Sequence, residues 1–136
     1  MKKSVLFLCT GNSCRSQMAE GILKHLRGDD CEAHSAGTHP ASVNPNAVRV
    51  MNEIGIDISH HTSKSVNVFL DEHFDVIITV CDNAKESCPV FNQAARKIHW
   101  GIEDPACATG SEEEVLSVFR KIRDDIKRKI KDEFCK

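Results

Sequence analysis

The stretch Ser4-Val5-Leu6-Phe7-Leu8-Cys9-Thr10-Gly11-Asn12-Ser13-Cys14-Arg15-Ser16 carries the signals on which the predicted architecture rests. Its first five residues form a short apolar run, which is typical of a buried strand in a parallel sheet. After the polar residues, apolar side chains recur at spacings of three and four from Met18 to Leu26, which predicts an amphipathic helix. Gly28 occupies the position of a glycine that ends such a helix. The chain therefore begins with a strand, a tight polar loop and a helix.

The rest of the chain continues this alternation. Strands are predicted at residues 32–36, 75–80 and 96–100, and Asn44-Pro45 predicts the start of a helix that Gly55 ends. A final helix is predicted from the capping box of Ser111 and Glu114. Two segments fit no single element: residues 66–72 resemble a short helix or irregular chain, and residues 81–92 a loop or marginal helix. This order predicts an α/β fold in one domain, residues 1–136: a small open parallel sheet of about four strands with helices on both faces.

Composition narrows the function before any site is considered. The chain has 136 residues, a net charge of −2 and 40% hydrophobic residues, which is ordinary for one globular domain. No apolar run approaches the roughly 18 residues of a membrane span, and no excess of positive charge favours nucleic acid. We therefore expect neither a membrane nor a nucleic-acid partner. Because no apolar stripe is left over, we expect a monomer.

Seven cysteines are unusual for a chain of this length. The sequence following Met1 lacks the apolar segment of a secretory signal, so we expect a cytoplasmic protein whose thiols stay reduced. The odd number also argues against a complete set of disulfides. The cysteines are therefore expected to be catalytic thiols, metal ligands or small core residues.

The polar loop between the first strand and helix has the features of an oxyanion site. Its successive backbone N–H groups can form a concave nest at a helix N-terminus, and Gly11 and Asn12 tolerate left-handed backbone angles. Arg15 offers a planar fork of donors, and Ser16 can donate a hydrogen bond to Cys9. Such surroundings favour the thiolate form of a cysteine, which makes Cys9 the predicted nucleophile. The predicted oxyanion-binding residues are Thr10, Gly11, Asn12, Ser13, Cys14 and Arg15.

Two other interpretations of this loop stay open. Cys9 can be a packed strand-end residue before an ordinary helix. Alternatively, Cys9 and Cys14 can form half of a zinc site, although Arg15 would repel a cation there.

Beyond the loop, several motifs together resemble one known family. The segment Cys9–Gly21 is similar to the low-molecular-weight protein tyrosine phosphatase superfamily, and more closely to its thioredoxin-coupled arsenate reductases. The resemblance extends over nearly the whole chain, through Ser35-Ala36-Gly37, Asn44–Ala47, Gly55–Ser59, His99-Trp100-Gly101 and Asp104-Pro105-Ala106. It implies the fold predicted above and the reduction of arsenate to arsenite, with no tightly bound cofactor.

The resemblance also assigns roles to residues outside the loop. It implies that Asp104 is the general acid, with Glu103 a less favoured substitute, although Asp-Pro is also a common turn dipeptide. It further implies a relay in which Cys81 attacks Cys9, Cys88 attacks Cys81, and thioredoxin reduces the resulting disulfide. Two small buried residues are the alternative interpretation of this cysteine pair.

Two other functions remain open at this stage. The first is a tyrosine phosphatase that uses Cys9, Arg15 and Asp104. The chain contains no tyrosine, whereas phosphatases of this fold usually carry aromatic residues beside the cleft. The second is a thiol-based sensor of oxyanions or redox state that does not turn over.

A potassium site known from some relatives is expected to be altered here. The resemblance matches its side-chain ligands to Asn12, Glu20 and Ser35, but Lys64 stands where an aspartate is usual. We expect no bound metal, and we expect the Lys64 ammonium to replace potassium by pairing with Glu20 or Asn12. A solvated lysine is the alternative.

The remaining cysteines and histidines match no catalytic pattern. Cys14 is expected to be a spectator in the loop, and the seven histidines form no zinc motif, His60-His61 being simply adjacent. The cysteines left without a predicted role are Cys31, Cys107 and Cys135.

Overall fold

The computed structural model describes residues 2–80 and 96–135. Within these ranges the chain forms four strands, three α-helices and two short 3₁₀ helices. The strands are β1 (Lys3–Cys9), β2 (Cys31–Gly37), β3 (Val76–Thr79) and β4 (Arg96–His99), and the α-helices are α1 (Arg15–Arg27), α2 (Pro45–Asn52) and α3 (Glu112–Phe134). The 3₁₀ helices are Val66–Phe69 and Pro105–Cys107. The predicted segment 81–92 lies outside the described residues.

The four strands form one parallel sheet in the order β2-β1-β3-β4. Leu6, Phe7 and Leu8 of β1 are all fully buried. Because consecutive strand side chains point to opposite faces, the burial of this run means that β1 is covered on both sides. The predicted open parallel sheet of about four strands is confirmed.

The helix boundaries follow the local signals in the sequence. Asn44 caps α2 by accepting a 2.8 Å hydrogen bond from the Asn46 N–H, and α3 begins with the predicted capping box of Ser111 and Glu114. After α2, Gly55 has a φ of +79° and donates to the Asn52 carbonyl, while Ile56 donates to the Met51 carbonyl. This is a Schellman motif, so Gly55 ends the helix as predicted.

Gly28 ends α1 in a different way from the one predicted. Its φ is −58°, in the right-handed region, so it is not a left-handed C′ glycine. A Cβ built on Gly28 would lie 2.4 Å from the Lys24 carbonyl oxygen. Glycine is therefore required for close packing against the last turn of α1.

The three α-helices contact one another, with α3 packed against both α1 and α2. The α3 stripe facing the core consists of Leu116, Phe119, Ile122, Ile126 and Ile130, each at most 5% exposed. Among the described residues, no helix combines the length and apolar character needed to cross a membrane.

The carboxyl end of β1 lies between those of β2 and β3. Gly37, the last residue of β2, pairs with Cys9, and the Val80 N–H donates to the Leu8 carbonyl at 2.8 Å. Ligands bind at this edge in open α/β sheets. The sheet thus places the β1–α1 loop, with Cys9 at its start, at the expected position.

Gly37 lets this loop approach the sheet closely. A Cβ there would lie 2.6 Å from the Thr10 carbonyl oxygen and 2.9 Å from the Asn12 nitrogen, both of them backbone atoms that a rotamer change cannot move. We expect Gly37→Ala to lower the free energy of unfolding by about 1–3 kcal/mol, as overpacking generally does. Urea unfolding measures this change.

Gly101→Ala is the matched control, because within the described chain its Cβ would meet only His99 Nε2, at 3.9 Å. It should leave the unfolding midpoint nearly unchanged. Equal midpoints for the two variants would show that the loop is not packed as tightly as described.

Candidate active site

The loop from Cys9 to Arg15, called the cradle below, is held by its carbonyl groups. The segment 38–44 donates backbone hydrogen bonds of 2.8–3.2 Å to the carbonyls of Cys9, Thr10, Gly11 and Ser13. The N–H of a trans peptide points away from its carbonyl, and the described residues contain no cis peptide. These bonds therefore turn the amide N–H groups towards the inside of the cradle, as an oxyanion site requires.

Cys9 lies at the floor of the cradle and is 2% exposed. Its Sγ accepts a 3.2 Å hydrogen bond from the Asn12 N–H and lies 2.8 Å from Ser16 Oγ. Asn12 Nδ2 donates to Ser16 Oγ at 2.8 Å, and the Ser16 hydroxyl proton stays free to be donated to sulfur. Both contacts favour a negatively charged sulfur.

Burial dominates the ionisation of Cys14, the second thiol of the cradle. Burial raises its pKa to about 11, and a hydrogen bond from Ser13 offsets only part of that increase. Cys14 therefore keeps its proton near neutral pH. This is the behaviour expected of a spectator thiol.

Arg15 and Asp104 lie at one side of the cradle. Arg15 is 8% exposed, and its Nη1 donates to the Ile102 carbonyl at 3.0 Å. Its Nη2 lies 3.6 Å from Asp104 Oδ2, while Asp104 Oδ1 accepts the Ala106 N–H at 3.0 Å and caps the second 3₁₀ helix. Oδ1 is thus fixed by the backbone, and Oδ2 is the oxygen available to carry a proton to a leaving group.

Glu20, Ser35 and Asn12, the residues matched to a potassium site, are already engaged with donors. Glu20 Oε2 pairs with Lys24 Nζ at 2.7 Å, and Glu20 Oε1 accepts the Ser35 hydroxyl at 2.6 Å. Asn12 Oδ1 accepts the backbone N–H of Lys64 at 2.8 Å. A potassium ion would have to displace an ammonium group from Glu20, so these residues do not fit the ion.

The predicted role of the Lys64 side chain is wrong. Its ammonium donates to the Thr62 carbonyl at 3.0 Å, and Lys24 takes the expected place beside Glu20. Lys24 is favoured because it lies four residues after Glu20 on the same face of α1. Among the described residues, no group of three or more His, Cys, Asp or Glu side chains is arranged to hold a metal ion.

Several of the predicted site residues thus come together. Cys9, Asn12, Arg15, Ser16 and Asp104 share one edge of the sheet. Cys81 and Cys88 lie outside the described residues. Cys9, Cys14, Cys31, Cys107 and Cys135 are free thiols.

Behind the cradle lies a buried polar cluster that the sequence analysis did not identify. Gln17 is fully buried, and its Oε1 lies 2.9 Å from His61 Nδ1, which is itself 3.6 Å from Glu20 Oε2. A glutamine within the buried start of α1, where an apolar residue is expected, was the signal available in the sequence.

The ionisation of this cluster is set by burial and by its charged neighbours. Burial lowers the pKa of His61 from 6.5, and Lys24, His60 and Lys64 lower it further, while Glu20 opposes them. Burial alone would raise the pKa of Glu20, but hydrogen bonds from Lys24 and Ser35 outweigh it and lower the pKa from 4.5. At neutral pH the cluster therefore holds a neutral imidazole beside an ionised carboxylate.

These shifts predict how stability depends on pH. The unfolded chain binds the His61 proton more tightly than the folded protein does, so the His61 contribution to stability is complete above about pH 6.5 and declines as the pH falls through the lowered folded pKa. We expect His61→Gln to flatten the fall in unfolding free energy between about pH 7 and pH 5. Urea titrations at several pH values measure it.

The exposed His73 supplies the control for this pH experiment, since His73→Gln should retain the wild-type slope. A wild-type slope in the His61→Gln protein would contradict the assignment. Glu20 acts in a separate window, below about pH 4.5, because its lowered pKa also makes stability fall with acidification.

Known proteins resemble this chain over nearly its full length. A model of the low molecular weight phosphotyrosine protein phosphatase family matches residues 4–134. Arsenate reductase of Halalkalibacterium halodurans is 49% identical over 96% of this chain and 94% of its own, and arsenate reductase of Shouchella clausii is 48% identical over the same shares.

Solved structures agree with these relatives. An arsenate reductase in the oxidized state superposes with a TM-score of 0.83 at 34% identity, covering 96% of this chain and 95% of that one. The thioredoxin-dependent arsenate reductase of Corynebacterium glutamicum gives 0.73 at 26% identity, covering 96% of this chain and 61% of that one. A low molecular weight protein tyrosine phosphatase from T. tengcongensis gives 0.77 at 30% identity, covering 93% and 94%.

The fold, the cradle and the extent of these matches lead to one assignment. The chain belongs to the low molecular weight phosphotyrosine protein phosphatase family, and the curated relatives named above are arsenate reductases.

Proposed function

We propose that this protein is an enzyme that reduces arsenate to arsenite, with Cys9 as its nucleophile and thioredoxin as the final reductant. The observation that carries the proposal is the environment of the Cys9 sulfur. Cys9 Sγ accepts a hydrogen bond from the Asn12 N–H and lies 2.8 Å from Ser16 Oγ, at the bottom of an amide-lined cradle that ends at Arg15. The arsenate reductases named above are 48–49% identical to this chain, which supports the choice of substrate.

In the first step the Cys9 thiolate attacks the arsenic of bound arsenate. An As–S bond forms, and one oxygen leaves as water after it takes a proton from Asp104 Oδ2. The cradle amides and Arg15 stabilise the charge on the remaining oxygens. Arsenic is still As(V) in this covalent adduct.

The reduction needs two electrons, which two thiols supply when they form a disulfide. The Cys81 thiolate attacks Cys9 Sγ, the As–S bond breaks with its electron pair staying on arsenic, and arsenite leaves. Cys88 then attacks Cys81, which releases Cys9 as thiolate and leaves a Cys81–Cys88 disulfide for the thioredoxin dithiol to reduce.

The sheet supports this relay through its strand order. β3 lies next to β1, and the Val80 N–H donates to the Leu8 carbonyl, one residue before Cys9. The described chain therefore reaches residue 80 beside the end of β1, directly before Cys81. A thioredoxin-dependent reductase among the structural neighbours supports the reductant. We further propose a monomer in the cytoplasm, where thioredoxin and reduced thiols are available.

Phosphatase activity is the second candidate function. It uses the same Cys9, Arg15 and Asp104, and the phosphatase from T. tengcongensis shares this fold at 30% identity. The two activities differ in their need for Cys81 and Cys88, since hydrolysis of a phosphocysteine adduct transfers no electrons.

A Cys88→Ser variant separates these activities. We expect it to release arsenite in a single turnover and then stop as the Cys9–Cys81 disulfide, because no thiol remains to free Cys9. Any hydrolysis of a phenyl phosphate ester should persist when the variant is kept reduced. The assay is arsenate-dependent NADPH oxidation with thioredoxin and thioredoxin reductase.

Cys135→Ser is the control for Cys88→Ser, because Cys135 is an exposed free thiol at the end of α3. It should turn over like the wild type. Multiple turnovers by Cys88→Ser would overturn the relay. A wild-type protein that forms no arsenite would overturn the proposed substrate.

The proposed role of Asp104 is tested by Asp104→Asn. The amide keeps an acceptor for the Ala106 N–H but cannot donate a carboxylic proton, so the rate of adduct formation should fall about 10²–10⁴-fold. Rapid-quench measurement of single-turnover arsenite formation reports this step. Glu103→Gln, at the neighbouring position, should remain within a few-fold of wild type; the reverse ranking would assign the acid to Glu103.

A further inference from the structure

Asn12 has an uncommon backbone conformation within the cradle. It has a φ of 49°, and it is the one non-glycine residue with positive φ in the described part of the chain. Asparagine adopts this left-handed region more readily than other residues with a Cβ, and its contacts determine that Asn12 does so here. In this conformation Asn12 directs its N–H to Cys9 Sγ and its Nδ2 to Ser16 Oγ.

Asn12 is held from the side opposite Cys9. Its carbonyl accepts two hydrogen bonds, from Gln17 Nε2 at 3.1 Å and from the Ser63 hydroxyl at 2.7 Å. Its Oδ1 accepts the backbone N–H of Lys64 at 2.8 Å. Asn12 is 0% exposed, so water does not replace these donors easily.

Gln17 connects all parts of this support. Its Nε2 donates to the carbonyls of both Asn12 and Thr62, at 3.1 and 3.0 Å, which uses both amide hydrogens. Its Oε1 lies 2.9 Å from His61 Nδ1. Because an amide oxygen only accepts, His61 must carry its proton on Nδ1. Every polar atom of the Gln17 side chain is therefore engaged, and the two carbonyls fix which way the amide faces.

We propose that Gln17 is a positioning residue that keeps Asn12 in its left-handed conformation and thereby keeps two hydrogen bonds directed at the Cys9–Ser16 pair. Gln17 touches neither the thiol nor the substrate site, and it acts through Asn12. The proposal deepens the proposed function, since it rests on Cys9 being the nucleophile.

The chemistry of the site requires an amide at this position. Glutamate would place one carboxylate oxygen against the Asn12 and Thr62 carbonyls, where acceptors face each other without a proton between them. Only its other oxygen could accept the His61 Nδ1 proton. Methionine has a similar shape but donates nothing. Of the donors described, it leaves the Asn12 carbonyl with the Ser63 hydroxyl and the Thr62 carbonyl with the Lys64 ammonium. Both replacements release Asn12 without touching Cys9.

The test measures the pH dependence of Cys9 alkylation by iodoacetamide in the full-length, reduced protein, with the Cys9 peptide quantified by mass spectrometry. We expect Gln17→Met to raise the pH of half-maximal reaction by about one unit, the effect of weakening a hydrogen bond to a charged acceptor. Gln17→Glu should raise it at least as much. Asn52→Ala, at an exposed site, is the control and should match the wild type.

A purely structural role would give a different result. If Gln17→Met lowered the melting temperature but left the alkylation profile at the wild-type pH, the proposal would be overturned. Should Gln17→Met fail to fold, Ser63→Ala decides, because it removes the other donor to the Asn12 carbonyl from a half-buried position. It should shift the profile in the same direction by a smaller amount, and an unchanged profile would reject the proposal.

Alkylation of Cys9 does not involve arsenate or thioredoxin. The result therefore stands apart from the assays of the proposed function. If the profile shifts in the Gln17 variant but the wild type does not reduce arsenate, Gln17 remains a positioning residue and the proposed substrate is rejected. If the profile does not shift but the wild type reduces arsenate, the substrate stands and the role of Gln17 is rejected.

Discussion

The chemistry proposed for this protein depends on the outward orientation of the cradle carbonyls. The segment 38–44 pairs with four of them, and Gln17 and Ser63 pair with the fifth, that of Asn12. Once these carbonyls point outward, the peptide geometry leaves the N–H groups no direction except inward. The proposed oxyanion site is thus a consequence of hydrogen bonds made to the cradle carbonyls on its outer surface.

The difference between the two cradle thiols shows how such a site selects its nucleophile. Cys9 and Cys14 are each 2% exposed, so burial does not distinguish them. Cys9 Sγ faces the Ser16 hydroxyl and the Asn12 N–H, whereas Cys14 Sγ contacts the Ser13 hydroxyl and burial raises its pKa to about 11. In the proposed mechanism, directed donors therefore decide which sulfur reacts.

Local signals in the sequence were sufficient for most of the fold. The apolar run of β1, the Asn44 cap and the Ser111 capping box act within a few residues, so they could be recognised without the structure. The cradle could be predicted for the same reason. The contacts of Gln17 with Thr62 and His61 bridge 45 and 44 positions, and no local pattern encodes them. The side-chain partner of Lys64 was mispredicted because Lys24 reaches Glu20 from within its own helix.

The strand order explains how one scaffold can serve both hydrolysis and reduction. The proposed hydrolysis needs only the cradle and an acid. The cradle follows β1, and Asp104, the proposed acid, lies 3.6 Å from its Arg15. Reduction adds a requirement that a second sulfur approach Cys9. β3 is the neighbour of β1, and the Val80 N–H donates to the Leu8 carbonyl, so the described chain reaches the residue before Cys81 close to the end of β1, which is the starting point that the proposed relay needs. The two chemistries can therefore differ by substitutions in one segment, while the oxyanion site and its outer support are preserved.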